Sequence, residues 1–362
     1  MNENEPNNYF VRLWVRSTDA INRLAALYHP KNLRQKGLWW SAGLLAMTVI
    51  FIFCLLGWYW SKEPETIDVR SSAVTAAETG QQQLVVGYTF TNTLLELSDR
   101  LLYKRGGYLT NDKTPPGIFL DNIPNWEFGV LVMLRDAAAA LRNHLSRSQT
   151  QSIEDKELAI AEPQFNINNN SWIFPSTESE YEKGRKAIMA YLSRLASAEQ
   201  KNAQFFARAD NLRRYLEVIE QRLGSLSQRL SASVGQIRIN TDLAGDSAAT
   251  QSSDTPGSIM VKTPWLELDD VFYEARGATW ALYHILQAVE IDFREILRKK
   301  NALVSLRQII RELEATQNST LSPVILNGGG FGLFSNYSLT MANYIARANA
   351  AIIDLRELLQ QG

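Results

Sequence analysis

The chain has 362 residues, 45% of them hydrophobic and 21% charged, a composition that fits a folded protein and excludes a disordered one. Its 37 Lys and Arg against 38 Asp and Glu leave a net charge of -1, so nothing drives it generally toward phosphate and no nucleic-acid partner is expected. Cys54 is the only cysteine, which excludes an intramolecular disulfide and a Cys-ligated zinc site.

Residues 1–37 form a short N-terminal tail. Phe10, Trp14, Ile21, Leu24 and Tyr28 share one side of an amphipathic helix predicted over 8–28, with Arg12, Arg16 and Arg23 elsewhere, a pattern suited to anionic lipid or to a partner-bound or solvated helix. Residues 38–60, LWWSAGLLAMTVIFIFCLLGWYW, contain no charge. At about 1.5 Å per residue they cross the roughly 30 Å hydrocarbon core of a bilayer, so they read as a transmembrane helix. Trp39 and Trp40 at one end, and Trp58, Tyr59 and Trp60 at the other, match the two interfacial belts. Arg12, Arg16, Arg23, Lys31, Arg34 and Lys36 precede the span, whereas Glu63, Glu65, Asp68 and Glu78 dominate the twenty residues on its far side. The sequence therefore predicts a cytoplasmic N-terminus and an exported domain over 61–362. A cleaved signal peptide is not expected, because the apolar stretch is too long and ends in aromatic residues instead of a small-residue cleavage site.

Beyond the span, residues 81–105 read as a helix carrying Leu84, Tyr88, Leu95 and Leu102, stopped by Gly106-Gly107. The next stretch, GGYLTNDKTPPGIFLDNIPNWEFG over 106–129, is the most loop-like of the chain. Pro115-Pro116-Gly117 and Pro124 stiffen it, Asn122 and Asn125 suit turns or a cap, and Phe119, Ile123 and Trp126 offer anchors. It reads as a structured crossover, packed on the remaining helices or shaped for recognition, with Asp112, Pro115, Pro116, Asp121, Asn125 and Trp126 as candidate partner-binding residues. Helix resumes over 126–145, where Ala137–Ala140 would let a neighbour approach closely.

After a polar region at 161–176, Thr177 and Glu180 form a capping box that opens a very long predicted helix. Its heptad places Ile188, Leu195, Asn202, Ala209, Leu216, Leu223 and Leu230 at a, and Tyr191, Ala198, Phe205, Leu212, Ile219, Leu226 and Ser233 at d. Such a helix would reach roughly 80 Å. Residues 240–258 read as a flexible surface loop. Residues 268–316 then carry a stripe of Leu282, Val289, Ile296, Leu303, Ile310 and Leu313, and residues 338–360 one of Met341, Ile345, Ala348, Ile352, Leu355 and Leu359. No alternating pattern is long enough for a sheet. The expected fold is all-α: one transmembrane helix, then an elongated bundle of long antiparallel helices with coiled-coil-like packing.

Catalytic chemistry is sparse. His29, His144 and His284 lack companions at ligand spacing, and Asn327–Gly332 lacks the Lys-Ser/Thr of a phosphate cradle, so neither metal nor cofactor is expected. Asp112, Asp121 and Glu127 offer carboxylates for glycan cleavage, which needs two of them roughly 5 to 10 Å apart.

The strings GGYLTND, PPG, LDNIPNWEFG and SNYSLTMANYIARANAAIIDLR together resemble a family of proteobacterial single-span inner-membrane proteins catalogued as a domain of unknown function. That resemblance implies a Gram-negative inner-membrane location with a periplasmic helical domain, and brings no catalytic residues. The function expected from these readings is a non-enzymatic envelope scaffold or adaptor. Its expected partners are the lipid bilayer and other envelope proteins or a second copy. Alternatives are a peptidoglycan- or lipid-processing enzyme using the 106–129 segment and a periplasmic sensor acting through a membrane partner.

Overall fold

The computed structural model describes residues 14, 18–19, 22, 26–147, 153–197, 202–239, 258–320, 322, 324–329 and 333–361. The chain divides into two compact units, Met1–Trp58 and Tyr59–Gly362. In the first, α1 (Pro30–Lys36) is opened by His29, whose ring accepts the Lys31 amide, and is closed by Gly37 at φ 88°. The apolar helix α2 (Leu38–Trp60) follows, the one helix among the described residues long and apolar enough to cross a membrane, with a mean hydropathy of 2.2. The amphipathic helix expected over 8–28 falls largely outside the described residues.

Among its described residues the second unit is all-α apart from one short hairpin. Its helices are α3 (Val69–Thr79), α4 (Tyr88–Leu102), α5 (Asn122–Ala140), α6 (Leu158–Phe165), α7 (Thr177–Leu195), α8 (Ala209–Ser231), α9 (Leu268–Asp292), α10 (Arg294–Lys299), α11 (Leu303–Ala315) and α12 (Tyr337–Gln360). Side-chain caps open several of them, Asp68 accepting the Arg70 and Ser71 amides for α3 and Asn336 the Leu339 amide for α12. The helices turn their apolar stripes inward, because water penalises an exposed stripe by about 25 cal/mol per Å²; most of these residues form one large core, while Ala73 and Ala77 of α3 pack with Tyr88, Leu192 and Ala196 in a small second cluster.

The central pair is α5 with α9. Both start at the same end of the bundle, where Asn125 donates to Asp270 at 2.6 Å. Their backbones approach so closely that a Cβ on Gly129 would lie 2.0 Å from the Glu274 carbonyl, and one on Gly277 2.0 Å from that of Trp126. Trp126 and Trp280 pack beside this close approach at 5.1 Å between rings. Further along α5, Ala137, Ala138 and Ala140 of the alanine run are buried as well.

Several expectations are corrected. The helix predicted over 81–105 begins only at Tyr88, and Leu84 lies exposed in the turn after α3, a helix the pattern did not reveal. Helix α5 starts at Asn122, so the last third of the 106–129 segment is regular helix. The long heptad is split into α7 and α8. Ala198 and Asn202 gave that seam too little apolar area, and Phe205 turns instead onto Phe90 and Phe293 at 6.0 and 5.8 Å. The stripes nonetheless mark the core: Leu216 and Leu223 are fully buried, and Arg356 of α12 pairs with Glu220 of α8. The cap of α7 is Ser176, one residue earlier than predicted, while Thr177 bonds back to Asn168 and Ser171. The stripe over 268–316 is carried by three helices, α9, α10 and α11. The unforeseen hairpin pairs β1 (Gln236–Ile239) with β2 (Ser258–Val261), and the rest of the loop expected at 240–258 lies outside the described residues.

Candidate functional site

The 106–129 segment turns the chain from α4 into α5, and one carboxylate organises it. Glu127, on the second turn of α5, is fully buried and accepts the amide of Leu109 at 2.9 Å and that of Thr110 at 2.8 Å. The Thr110 hydroxyl and the Lys104 ammonium close the same oxygens, and Lys104 also donates to the Gly107 carbonyl. An irregular turn has no helix or strand to satisfy its amides, so a buried carboxylate does it. The two charges compensate each other out of water, where either alone would be severely penalised.

The other carboxylates have different surroundings. Asp121 caps α5 through the Asn122 amide at 2.8 Å. Asn125 donates both to the Asp121 carbonyl and across to Asp270, joining the starts of α5 and α9. Asp112 is half-buried beside Gly117, and burial followed by the Glu127 and Glu178 charges raises its carboxyl above the usual range. The structure therefore brings Asp112 near Glu127 and Glu178, whereas Asp121 faces the acidic start of α9. Pro115 is exposed and Pro116 buried, joined by a cis peptide. Trp126 is fully buried, occupied with core packing.

A second turn, residues 166–176 between α6 and α7, builds onto the first. Asn111 donates to the Ser171 carbonyl and to Glu178, both at 2.9 Å, Lys113 to Asn170 at 2.9 Å, and Tyr108 to the Asn169 carbonyl at 3.0 Å. These partners were not legible in sequence, because residues some sixty positions apart meet only through the fold. The joined turns display Phe119 and, on a finger of three, Trp172, Ile173 and Phe174, the last 91% exposed.

The segment following α2 is fastened to the same bundle. Both oxygens of Glu63 accept from Arg276 at 2.8 Å, and Arg276 also donates to the carbonyls of Thr316, Gln317 and Asn318. His284 donates from Nδ1 to the Trp280 carbonyl and accepts the Ile67 amide on Nε2 at 2.8 Å. Burial holds its imidazole down at about 4. His284 is thus a neutral fastener of the connecting chain, His29 a helix cap, and His144 a half-buried residue depressed by burial and Arg214. No group of three or more His, Cys, Asp or Glu among the described residues is arranged to hold a metal.

The chain belongs to a bacterial family, DUF2333, described as an uncharacterized protein conserved in bacteria. The family model matches residues 33–362, which takes in α2, both turns and every helix of the bundle. All four strings that carried the resemblance lie inside that range. No curated protein and no solved structure matches the chain.

Proposed function

We propose that this DUF2333 member is a single-pass inner-membrane protein with a cytoplasmic N-terminus, whose periplasmic helical bundle serves as a scaffold or adaptor in the cell envelope. Helical spans belong to bacterial inner membranes, whereas outer-membrane spans are β-barrels, and the basic flank before α2 favours this orientation. The observation that carries the scaffold reading is the employment of the turn carboxylates. Glu127 is buried under amide, hydroxyl and ammonium donors, and Asp121 caps a helix, so the segment is a built corner that holds neighbouring residues on display. Crosslinking in native membranes with subsequent affinity purification should recover a reproducible envelope protein or a second copy. Recovery of neither would contradict the reading.

A second reading rests on Asp112. Its raised carboxyl, near two further carboxylates, has the character of a proton donor for a lipid- or glycan-processing reaction. Asp112→Asn that fully restores a deletion phenotype would remove that alternative.

A further inference from the structure

The two ends of the bundle differ in what they expose. At one end lie the turns α4–α5, α6–α7, α8–α9 and α11–α12. Asn111 to Ser171, Asn125 to Asp270, Asn327 to the Ser233 carbonyl and Arg276 to the Thr316 carbonyl tie them together. At the other end lie α3–α4, α5–α6, α7–α8 and the turns around α10, tied by Phe206 to the Leu145 carbonyl, Gln83 to the Ala196 carbonyl and Phe90 to Asp292. Every exposed aromatic side chain among the described residues of the bundle sits at the first end: beyond Tyr59, these are Tyr103, Phe119, Trp172, Phe174, Trp265 and Phe334. Leu266 and Leu333 add to them, at 77% and 100% exposure. The second end exposes aliphatic side chains such as Leu84, Ile153 and Val304, and no aromatic among the described residues.

The chain joins the bundle at the aromatic end. Trp60, the last residue of α2, lies against Gly106, and the Arg105 guanidinium stands 5.3 Å over the Tyr59 ring. Only Ser61 and Lys62 separate Trp60 from Glu63, which Arg276 holds fast. Three residues reach at most about 10 Å. If α2 spans a bilayer, the point at which Arg276 holds Glu63 cannot stand farther than that from the interfacial belt.

We infer that this end of the bundle is a lipid-binding face, and that Phe119, Trp172, Phe174, Trp265 and Leu266 insert into the interfacial zone of the bilayer that α2 spans. Trp172 and Trp265 gain most at that depth, where the ring body leaves water and the indole N–H stays wet, while Phe119, Phe174 and Leu266 gain by leaving water. A lipid surface accounts for two features that a protein partner leaves open: the short tether that fastens this end to the end of α2, and the spread of exposed aromatics over four separate turns. The inference deepens the anchored reading above and rests on it.

The test uses the full chain in vesicles of phosphatidylcholine and phosphatidylglycerol. Single cysteines replace Phe119, Phe174, Leu266 and Val304 (Phe119→Cys, Phe174→Cys, Leu266→Cys, Val304→Cys) in a Cys54→Ser background and carry an environment-sensitive fluorophore. Native Cys54, labelled alone, reports on the span. Lipids brominated along their chains should quench the labels at 54, 119, 174 and 266 by at least about twofold, since an interfacial side chain sits about 5–10 Å deep, and leave 304 unchanged. Quenching at 54 but not at 119, 174 or 266 overturns the inference while sparing the anchor. So does a blue-shifted but unquenched label at those sites, which would mean a second copy covers the face. Absence of quenching at 54 overturns the anchored reading and the inference with it.

Discussion

Glu127 at one end of the bundle and Asp292 at the other solve the same problem. Helix α4 opens at Gly87, whose φ of 91° and contact with Phe205 leave no room for a side chain, so no local cap is available. Asp292 supplies one from the end of α9, accepting the Phe90 amide at 2.7 Å and that of Gly87. Glu127 likewise accepts two amides from an irregular turn, but with Lys104 beside it. Lacking such a partner, Asp292 is pushed up by burial to about 7. The comparison shows that a buried carboxylate can pin a turn with or without a counter-charge, and that without one, as at Asp292, burial raises the carboxyl. Among the described residues only the Lys104–Glu127 end exposes aromatic rings, so its pin holds a displaying surface while the Asp292 pin closes a plain one.

The largest expected effect strikes what both ends share. Leu216→Asp with Leu223→Asp puts two charges on the buried α8–α12 seam and should lower stability by several kcal/mol, enough to unfold a domain worth about 5–15 kcal/mol. Loss of helicity and of protease resistance reads it, and wild-type melting would show the seam is misplaced. Next comes Glu127→Gln, which strands Lys104 and should be destabilising by about 3–5 kcal/mol, with proteolysis starting within 104–121. Cleavage starting at the Asp292 end instead would break the assignment.

The Asp292 pin should show its titration. A carboxyl raised from 3.8 to about 7 keeps a proton the unfolded chain has released, so its contribution is full below pH 4 and fades as pH rises through 7. At about 1.4 kcal/mol per unit that is a few kcal/mol. His284 has the opposite sign: held at about 4, it loses its contribution as pH falls from 6.5 toward 4. Asp292→Asn should therefore leave stability rising with pH across 4 to 7, and denaturation curves at pH 5 and 8 that keep the wild-type difference would refute this. Gly277→Ala should lose about 1–3 kcal/mol by forcing α5 from α9, whereas Gly224→Ala, with its nearest neighbour at 3.6 Å, should gain a few tenths. Smallest of all, Phe174→Ser should change stability by less than about 0.5 kcal/mol, because its ring touches mainly solvent.

The core was legible in sequence wherever a helix faces one neighbour throughout. Met341 to Leu359 of α12 and Leu212 to Leu230 of α8 were read correctly because their stripes repeat without interruption. The break at 196–208 was not legible, since a heptad tolerates Ala198 and Asn202 on paper and gives no sign that Phe205 has a better partner in Phe90. Helix α3 was missed because its buried face consists of Val69, Ala73 and Ala77, too small to stand out from Ser and Thr. In the turn, the prolines signalled rigidity, but the Lys104–Glu127 pair and the Asn111 bridge join distant positions without period. The aromatic end escaped because exposure is a property of the fold: Trp126 and Trp172 look alike in sequence, and one is core while the other is surface.

The claim that the two ends differ because one meets the bilayer is tested most directly by hydroxyl-radical footprinting of the full chain in lipid nanodiscs. In water, Trp172, Phe174 and Trp265 should react at least as readily as Leu84, Ile153 and Val304, since the two sets are comparably exposed and aromatic rings are the more reactive toward hydroxyl radical. The account predicts that the first three are protected several-fold while the latter three react as their exposure dictates. Equal reactivity at the two ends would contradict it.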